Sequence, residues 1–350
     1  MKQSDSIQID GRLGEGGGQV LRTSLSLAAA LGIPMKVRNV RGGRKKPGVL
    51  RQHRACARAV AEITRGSLVG DELGSRDLEF RPGGPPRGGE YAFAVGSAGS
   101  TMLVLQTVLP PLLLADGPSA VTIEGGTHNP AAPPFESIVH AFLPCLARSG
   151  VCTSIELERP GFVPVGGGKV RLIVEPVRDP KPLVLEASVG DLKKRLVVRI
   201  QGLSDDIAER EWIAFSNLTH WPRSCLDIVR TEGPSPGNAV TALLEGQDAF
   251  AAVTAFGSRA MSSERVGKAV ARGVHNYTRS GEPVDLYLAD QLMLPMALMA
   301  GGRYRTGVLS RHAKTNAEVI EEFLPGAVRT EEIEGSRAHR VIVRGFGSGS

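Results

Sequence analysis

Several kinds of protein are excluded by what this chain has little of. It holds four cysteines in 350 residues, Cys56, Cys145, Cys152 and Cys225, with no C-x-x-C pair and no metal-ligand spacing. Cys56 and Cys145 fall in helical apolar patterns, so buried thiols in a reducing compartment are expected rather than a disulfide framework. The N-terminus MKQSDSIQID is polar, without the apolar core of a signal peptide. No apolar run is long and clean enough to span a bilayer, because Pro110, Pro111 and Asp116 interrupt the best one. The expectation is a cytoplasmic protein with no membrane contact. Aromatics make up only 5%, with four tyrosines and two tryptophans, so any aromatic beside a polar cluster stands out. The nucleotide motifs with the sharpest signatures are missing as well. No Gly-Lys-Ser/Thr follows a glycine run, there is no dinucleotide-binding fingerprint, and no lysine sits in a K-x-D-G setting. Lysine-based nucleotidyl transfer is therefore disfavoured.

What remains is an ordinary globular composition, 41% apolar and 22% charged, with 43 glycines gathered in short runs. The net charge of +6 permits a polyanionic partner without requiring one. Strand-like and helix-like patterns alternate. A strand at Ser6–Asp10, the turn GRLGEGGGQ and a helix at Val20–Leu31 lead to a strand at Met35–Val40. The basic loop RGGRKKPG follows, then a helix expected from Pro47 to Ile63, and strands at Ser67–Val69 and Leu78–Phe80. The pattern restarts with a strand at Tyr91–Val95, the turn GSAGS, a helix at Thr101–Leu114, a strand at Ala120–Glu124 and a helix at Phe135–Arg148. Two strands, Ser154–Leu157 and Lys169–Val174, close it around GFVPVGGG. A third copy runs from a helix at Asp290–Met299 through a strand at Thr306–Leu309 and the loop SRHAKTN. A helix at Ala317–Phe323 and a last strand at His339–Val343 complete it. Three α+β units with helices inside and sheets outside are the expected architecture. A more charged segment, Val184–Glu282, reads as an inserted domain, entered at Pro180 and Pro182 and left at Ser280-Gly281-Glu282-Pro283. The tail GFGSGS reads as flexible and carries no part of the argument.

In each copy the conspicuous polar residues lie in the loop before the second helix. His312 is the one with nucleophilic potential. An Asp and a His set across a turn can meet, the carboxylate fixing one ring nitrogen and freeing the other; Asp290 is placed to do this. The turn Gly14–Gly18, with Glu15, Gln19 and Arg22, can bring backbone N–H groups to a phosphate at a helix start, or it is simply a tight turn. A carboxylate beside phosphate repels it unless a divalent metal lies between, which makes Glu15 a conditional metal ligand. Arg41, Arg44, Lys45, Lys46, Arg51, Gln52 and His53 crowd one loop and one helix start. Cations there oppose the helix dipole unless an anion joins them, so an anion site is favoured over a solvated face. Tyr287 can stack on a base or merely pack.

The runs GEGGGQVLR, RGGRKKPGVLRQH, GSAGSTMLVLQTVLP, GGTHNPAAPP, GFVPVGGG, LADQLMLPMAL and HAKTN, in this order from about Ile7 to Val343, resemble the RNA 3′-terminal phosphate cyclases. The resemblance implies an α+β fold: a large domain of three βαβαββ-type repeats, spanning residues 1–183 and 283–350, with a smaller inserted α+β domain at 184–282. It implies ATP-dependent formation of a 2′,3′-cyclic phosphate at an RNA 3′ end, through a covalent histidine–AMP and an RNA-(3′)pp(5′)A intermediate. By motif position His312 would be the nucleophile and Asp290 would orient it. Tyr287 and Pro133 would sandwich the adenine, with Gln106 and Leu288, Ala289, Asp290 and Gln291 completing the pocket. Glu15 would carry Mg²⁺ or Mn²⁺, and Arg22, Arg41, Arg44, Gln52 and His53 would bind triphosphate or RNA phosphate. One departure is Arg311, where bacterial members are associated with a small residue or Cys. A noncatalytic RNA-processing scaffold of the same fold, an enolpyruvyl-type transferase and a plain RNA-binding module remain as rivals. Oligomeric state is left open, with a homodimer among the options.

Overall fold

The computed structural model describes residues 6–346, so the last four residues of the tail lie outside it. The first unit runs β1 (Ile7–Asp10), α1 (Gly18–Leu31), β2 (Met35–Arg38), α2 (Arg51–Thr64), β3 (Ser67–Val69), β4 (Leu78–Arg81). Its strands lie in the order β1-β2-β4-β3, with β1 parallel to β2 and the others antiparallel. The second unit, β5 (Gly89–Ala94), α3 (Thr101–Leu112), β6 (Ser119–Gly125), α4 (Phe135–Ser137), α5 (Leu143–Ala147), β7 (Cys152–Arg159), β8 (Gly168–Glu175), repeats that topology as β5-β6-β8-β7. A π-helical turn, Ile138–Phe142, joins α4 to α5.

The third unit opens on a strand that sequence patterning passed over, β9 (Leu183–Leu185), too short to show a period. The inserted segment follows it: β10 (Lys193–Gln201), α6 (Asp205–Thr219), β11 (Leu226–Thr231), β12 (Gly237–Glu245), β13 (Phe250–Phe256) and α7 (Ser263–Ser280). The chain then resumes the unit with α8 (Leu288–Leu298), β14 (Gly302–Thr306), α9 (Arg311–Phe323), β15 (Val328–Glu332) and β16 (His339–Val343). Its order, β15-β16-β14-β9, is the same topology, with β9 parallel to β14. The insertion therefore lies within the third unit, after its first strand.

The helices of the three units meet in one apolar core, with the sheets outside, as the apolar character of α1, α3 and α8 demands. Val20, Leu25, Met102, Leu105, Leu292 and Val319 are all fully buried there; each such side chain contributes about 1.5–3 kcal/mol relative to exposure. The insertion has its own core around Trp212, Phe215 and Val270, on one face of its sheet order β11-β10-β12-β13. Val197, Leu243 and Ala252 on the other face join the main core.

Two helix starts differ from expectation by a turn or more. Helix α2 begins at Arg51 rather than Pro47, because Gly48 is left-handed (φ +91) and holds the loop against Gly74. Helix α9 begins at Arg311, where Ser310 Oγ accepts from Ala313 N at 3.0 Å. His312 thus sits in the first turn of a helix and not in a preceding loop. Among the described residues no helix is long and apolar enough to cross a membrane.

Candidate functional site

A pocket of about 370 Å³ opens where all three units and the insertion meet. Helix α1 lends Gln19 and Arg22, and α3 lends Gln106. The loop after β6 lends Pro133, and β13 lends Ala252, Thr254 and Phe256. Tyr287, Leu288, Asp290 and Gln291 come from the start of α8, and His312 from α9. This size falls within the range of roughly 300–1,000 Å³ usual for small-molecule sites. The insertion's contribution carries no sequence signature, being an alanine, a threonine and a phenylalanine on alternate positions of an ordinary strand.

The run HAKTN binds the units together. Asn316 Nδ2 donates to the Asp290 carbonyl (2.7 Å) and its Oδ1 accepts from Thr23 (2.7 Å), which ties α9 to α8 and α1. Thr315 Oγ1 accepts from Glu15 N at 3.1 Å. Gly14, at φ +57, lies so close to Thr315 that a Cβ would sit 2.0 Å from Oγ1, so only glycine permits this approach. Asp285 Oδ1 accepts from the amides of Tyr287 (2.6 Å) and Leu288 (2.9 Å), fixing the start of α8.

Asp290 does not touch the histidine. Gln19 stands between them: its amide Nε2 donates to Asp290 Oδ2 (2.8 Å), and its Oε1 meets His312 Nδ1 (2.9 Å). A carboxylate can only accept, so the amide must face it with nitrogen and turn its oxygen to the ring. Nδ1 then carries the proton and Nε2 keeps its lone pair. Nε2 lies 3.3 Å from Glu15 Oε2 on a side chain 53% exposed. Burial holds the His312 pKa below its usual value, against the opposing pull of Glu15. Gln19 was legible only as part of the glycine turn; its place one turn before Arg22, on the same face of α1, is the signal that it points into the site.

Arg22 is half-buried in the pocket wall, and among the described residues its guanidinium makes no hydrogen bond and no ion pair. Its charge faces the pocket, balanced in part by the nearby carboxylates of Asp290 and Glu15. Burial also raises the Asp290 carboxyl to about 7. Behind it, a second cavity of about 60 Å³, between Arg22, Asp290 and Asn316, is roomy enough for water.

The other expected phosphate ligands divide. His53 is 1% exposed, and its Nδ1 accepts from Leu50 N (3.2 Å), so Nε2 is the N–H donor. Among the described residues that Nε2 is buried without a partner, against Gly18 at the start of α1. Burial, then Arg22 and Arg41, lowers the ring to about 3, leaving it neutral. Arg44 pairs with Glu15. Arg41 is turned inward instead, donating to the carbonyls of Lys46 (2.7 Å) and Gly48 (3.1 Å), where it closes its own loop. Gln52 accepts weakly from Ser100 N (3.4 Å). Ala289 is buried, and its carbonyl accepts from the Tyr304 hydroxyl. Tyr287 is 66% exposed at the pocket rim.

A buried ion network fastens the wall. His128 bonds Thr127 (2.7 Å) and Glu136 (2.9 Å), and Glu136 pairs with Arg199 of the insertion (2.9 Å). These contacts hold the Glu136 carboxyl well below its ordinary range despite burial.

Fold and pocket together define an α+β protein of three βαβαββ units around a base-sized site with Arg22 in its wall and a hydrogen-bonded histidine at its mouth. The chain belongs to the RNA 3′-terminal phosphate cyclase family, whose model matches residues 13–330. The RNA 3′-terminal phosphate cyclase of Salmonella paratyphi C (strain RKS4594) is 42% identical over 94% of this chain and 95% of that protein. Its namesake in Salmonella typhimurium (strain LT2) is 42% identical over 96% and 98%. A solved structure, the enolpyruvyl transferase NikO from Streptomyces tendae, matches 99% of this chain and 50% of its own at 12% identity and TM-score 0.38, too slight a likeness to argue from.

Proposed function

We propose that this protein converts an RNA 3′-terminal phosphate to a 2′,3′-cyclic phosphate with ATP, by way of a His312–AMP adduct. The observation that carries this is the Asp290–Gln19–His312 hydrogen-bond chain, whose polarity favours a lone pair on Nε2 at the mouth of a base-sized pocket. In the first step the Nε2 lone pair bonds the α-phosphorus, and pyrophosphate leaves with the electrons of the broken P–O bond. A 3′-phosphate oxygen then takes the AMP group from Nε2, giving RNA-(3′)pp(5′)A. Last, the neighbouring 2′-oxygen attacks the 3′-phosphorus, its proton passes to water, and AMP departs. That closure is intramolecular, so the ribose itself supplies the proximity.

Arg22 and the free N–H of His53 offer the charge and the donor that a phosphate needs, and Tyr287 with Pro133 forms the base clamp. Arg41 has no part in this reading. Among the described residues no three His, Cys, Asp or Glu side chains cluster. A divalent ion therefore fits only in the manner usual for Mg²⁺, on one carboxylate and substrate phosphates. Glu15 is that carboxylate, and a bound ion would offset phosphate charge there.

The direct test is incubation of a 3′-phosphorylated RNA with ATP and Mg²⁺. The expected product resists phosphatase and regains sensitivity after acid opening of the cyclic ester. Full phosphatase sensitivity would assign the chain to a noncatalytic role.

Base choice follows from a second amide chain. Gln291 Nε2 donates to the Tyr287 carbonyl (2.8 Å), so its Oε1 faces Gln106 and accepts from Gln106 Nε2 (2.7 Å). Gln106 Oε1 is left as an open acceptor in the pocket. Adenine presents an amino donor where guanine presents a carbonyl, so ATP is expected over GTP. Replacing Gln106 by Ala should narrow the ratio of kcat/KM for the two nucleotides about tenfold, the worth of one hydrogen bond. An unchanged ratio would remove Gln106 from base selection.

A further inference from the structure

Helix α7 of the insertion carries Arg265, Lys268, Arg272, His275 and Arg279, spaced by three and four residues, so that they share one face. All five are exposed, while Val266, Val270, Val274 and Tyr277 on the opposite face enter the insertion core. The stripe is about 21 Å long at 1.5 Å per residue. Among the described residues none of its four Arg and Lys side chains makes a hydrogen bond or an ion pair.

The contrast with the adjoining helix is sharp. On α6, Asp205 pairs with Arg230 (2.8 Å), Asp206 with Arg210 (3.8 Å) and Glu209 with Arg223. Even the lone acid of α7, Glu264, is taken by Arg210 at 2.7 Å. The acids are neutralised locally, and the surplus positive charge is gathered on one face. Like charges three and four apart destabilise a helix, a cost that a bound polyanion reverses.

The stripe lies across the insertion's sheet from the pocket, so an RNA strand bound at both passes round the sheet edge at β13. Helix α7 packs on β13, the edge strand whose other face puts Ala252, Thr254 and Phe256 into the pocket wall. Beyond Arg279 the chain turns at Gly281 and reaches the pocket rim at Tyr287. We infer that the outer face of α7 docks the phosphodiester backbone of single-stranded RNA several nucleotides upstream of the 3′ end. This rests on the proposed RNA substrate.

The test uses the full chain with Arg265, Lys268, Arg272 and Arg279 all changed to Gln, four exposed positions whose replacement leaves both cores intact. Binding of a labelled 20-nucleotide RNA with a 3′-phosphate is measured without ATP across a salt series. The variant should bind at least about tenfold more weakly at low salt. Its log–log salt slope should be shallower by roughly 3, at about 0.7 for each phosphate no longer neutralised. A trinucleotide 3′-phosphate, too short to reach α7, should bind both proteins equally. Unchanged affinity and slope for the long RNA would overturn the inference, as would equal weakening for both lengths. Undiminished RNA binding with lost adhesion to phosphatidylserine vesicles would overturn it in favour of a membrane surface. Because binding is read without turnover, a wild type that binds through the stripe yet forms no cyclic phosphate would refute only the proposed activity.

Discussion

Replacement of His312 by Ala is expected to abolish covalent labelling by α-labelled ATP, while wild type takes up a label that is acid-labile and alkali-stable. That lability pattern identifies a phosphorus–nitrogen bond. The expected loss is complete, because among the described residues His312 is the only histidine lining the pocket, which holds no lysine or cysteine to take over as a phosphorus nucleophile. The fold should tolerate the change. His312 is half exposed and its one ring hydrogen bond is to Gln19, so about 1 kcal/mol of stability is at stake. Label persisting on the Ala variant would move the nucleophile elsewhere, and no label on folded wild type with Mg²⁺ or Mn²⁺ would end the adduct proposal.

His312 and Asp290 were legible in the sequence for a definite reason. A carboxylate opens one helix and a lone histidine precedes the next, so the two can meet across a turn, within runs that resemble a known family. The repeat itself was readable because α1, α3 and α8 are apolar on most sides, which forces them inward. What escaped notice was set by contacts distant in sequence. Leu183–Leu185 is recognisable as a strand only from its pairing with Gly302–Tyr304 across the insertion. Gln19 lies 271 positions from Asp290 and 293 from His312, so periodicity could not place it between them. Arg41 looked like its neighbour Arg44, yet its positive φ turns it onto the loop carbonyls. Charge in a sequence does not say which way an arginine folds.

The Asp290–Gln19–His312 chain makes Asp290→Asn a sharper probe than deletion of the carboxylate. The substituted amide can donate to Gln19, so Gln19 can turn its oxygen to position 290 and its nitrogen to the histidine. An N–H facing Nδ1 obliges that nitrogen to accept, which moves the ring proton to Nε2 and blocks the lone pair that attacks phosphorus. The change is nearly isosteric, so the melting temperature should move little while the adenylylation rate falls by between about 10² and 10⁴. The upper figure is the loss when Asn replaces the directly bonded Asp of a serine protease triad. Protonation does to wild type what the substitution does permanently. With the Asp290 carboxyl raised to about 7 by burial, the carboxylate that fixes Gln19 is present above that pH and is lost as pH falls through it. The adenylylation rate should therefore decline on the acid side of about 7. Burial holds His312 below its ordinary value, so its own protonation belongs to a lower limb. In Asp290→Asn the limb near 7 should vanish, leaving a low rate that is flat down to the histidine's own titration. A wild-type rate in that variant at pH 8 would show that Gln19 alone sets the tautomer, and the carboxylate would then be confined to holding α1 against α8.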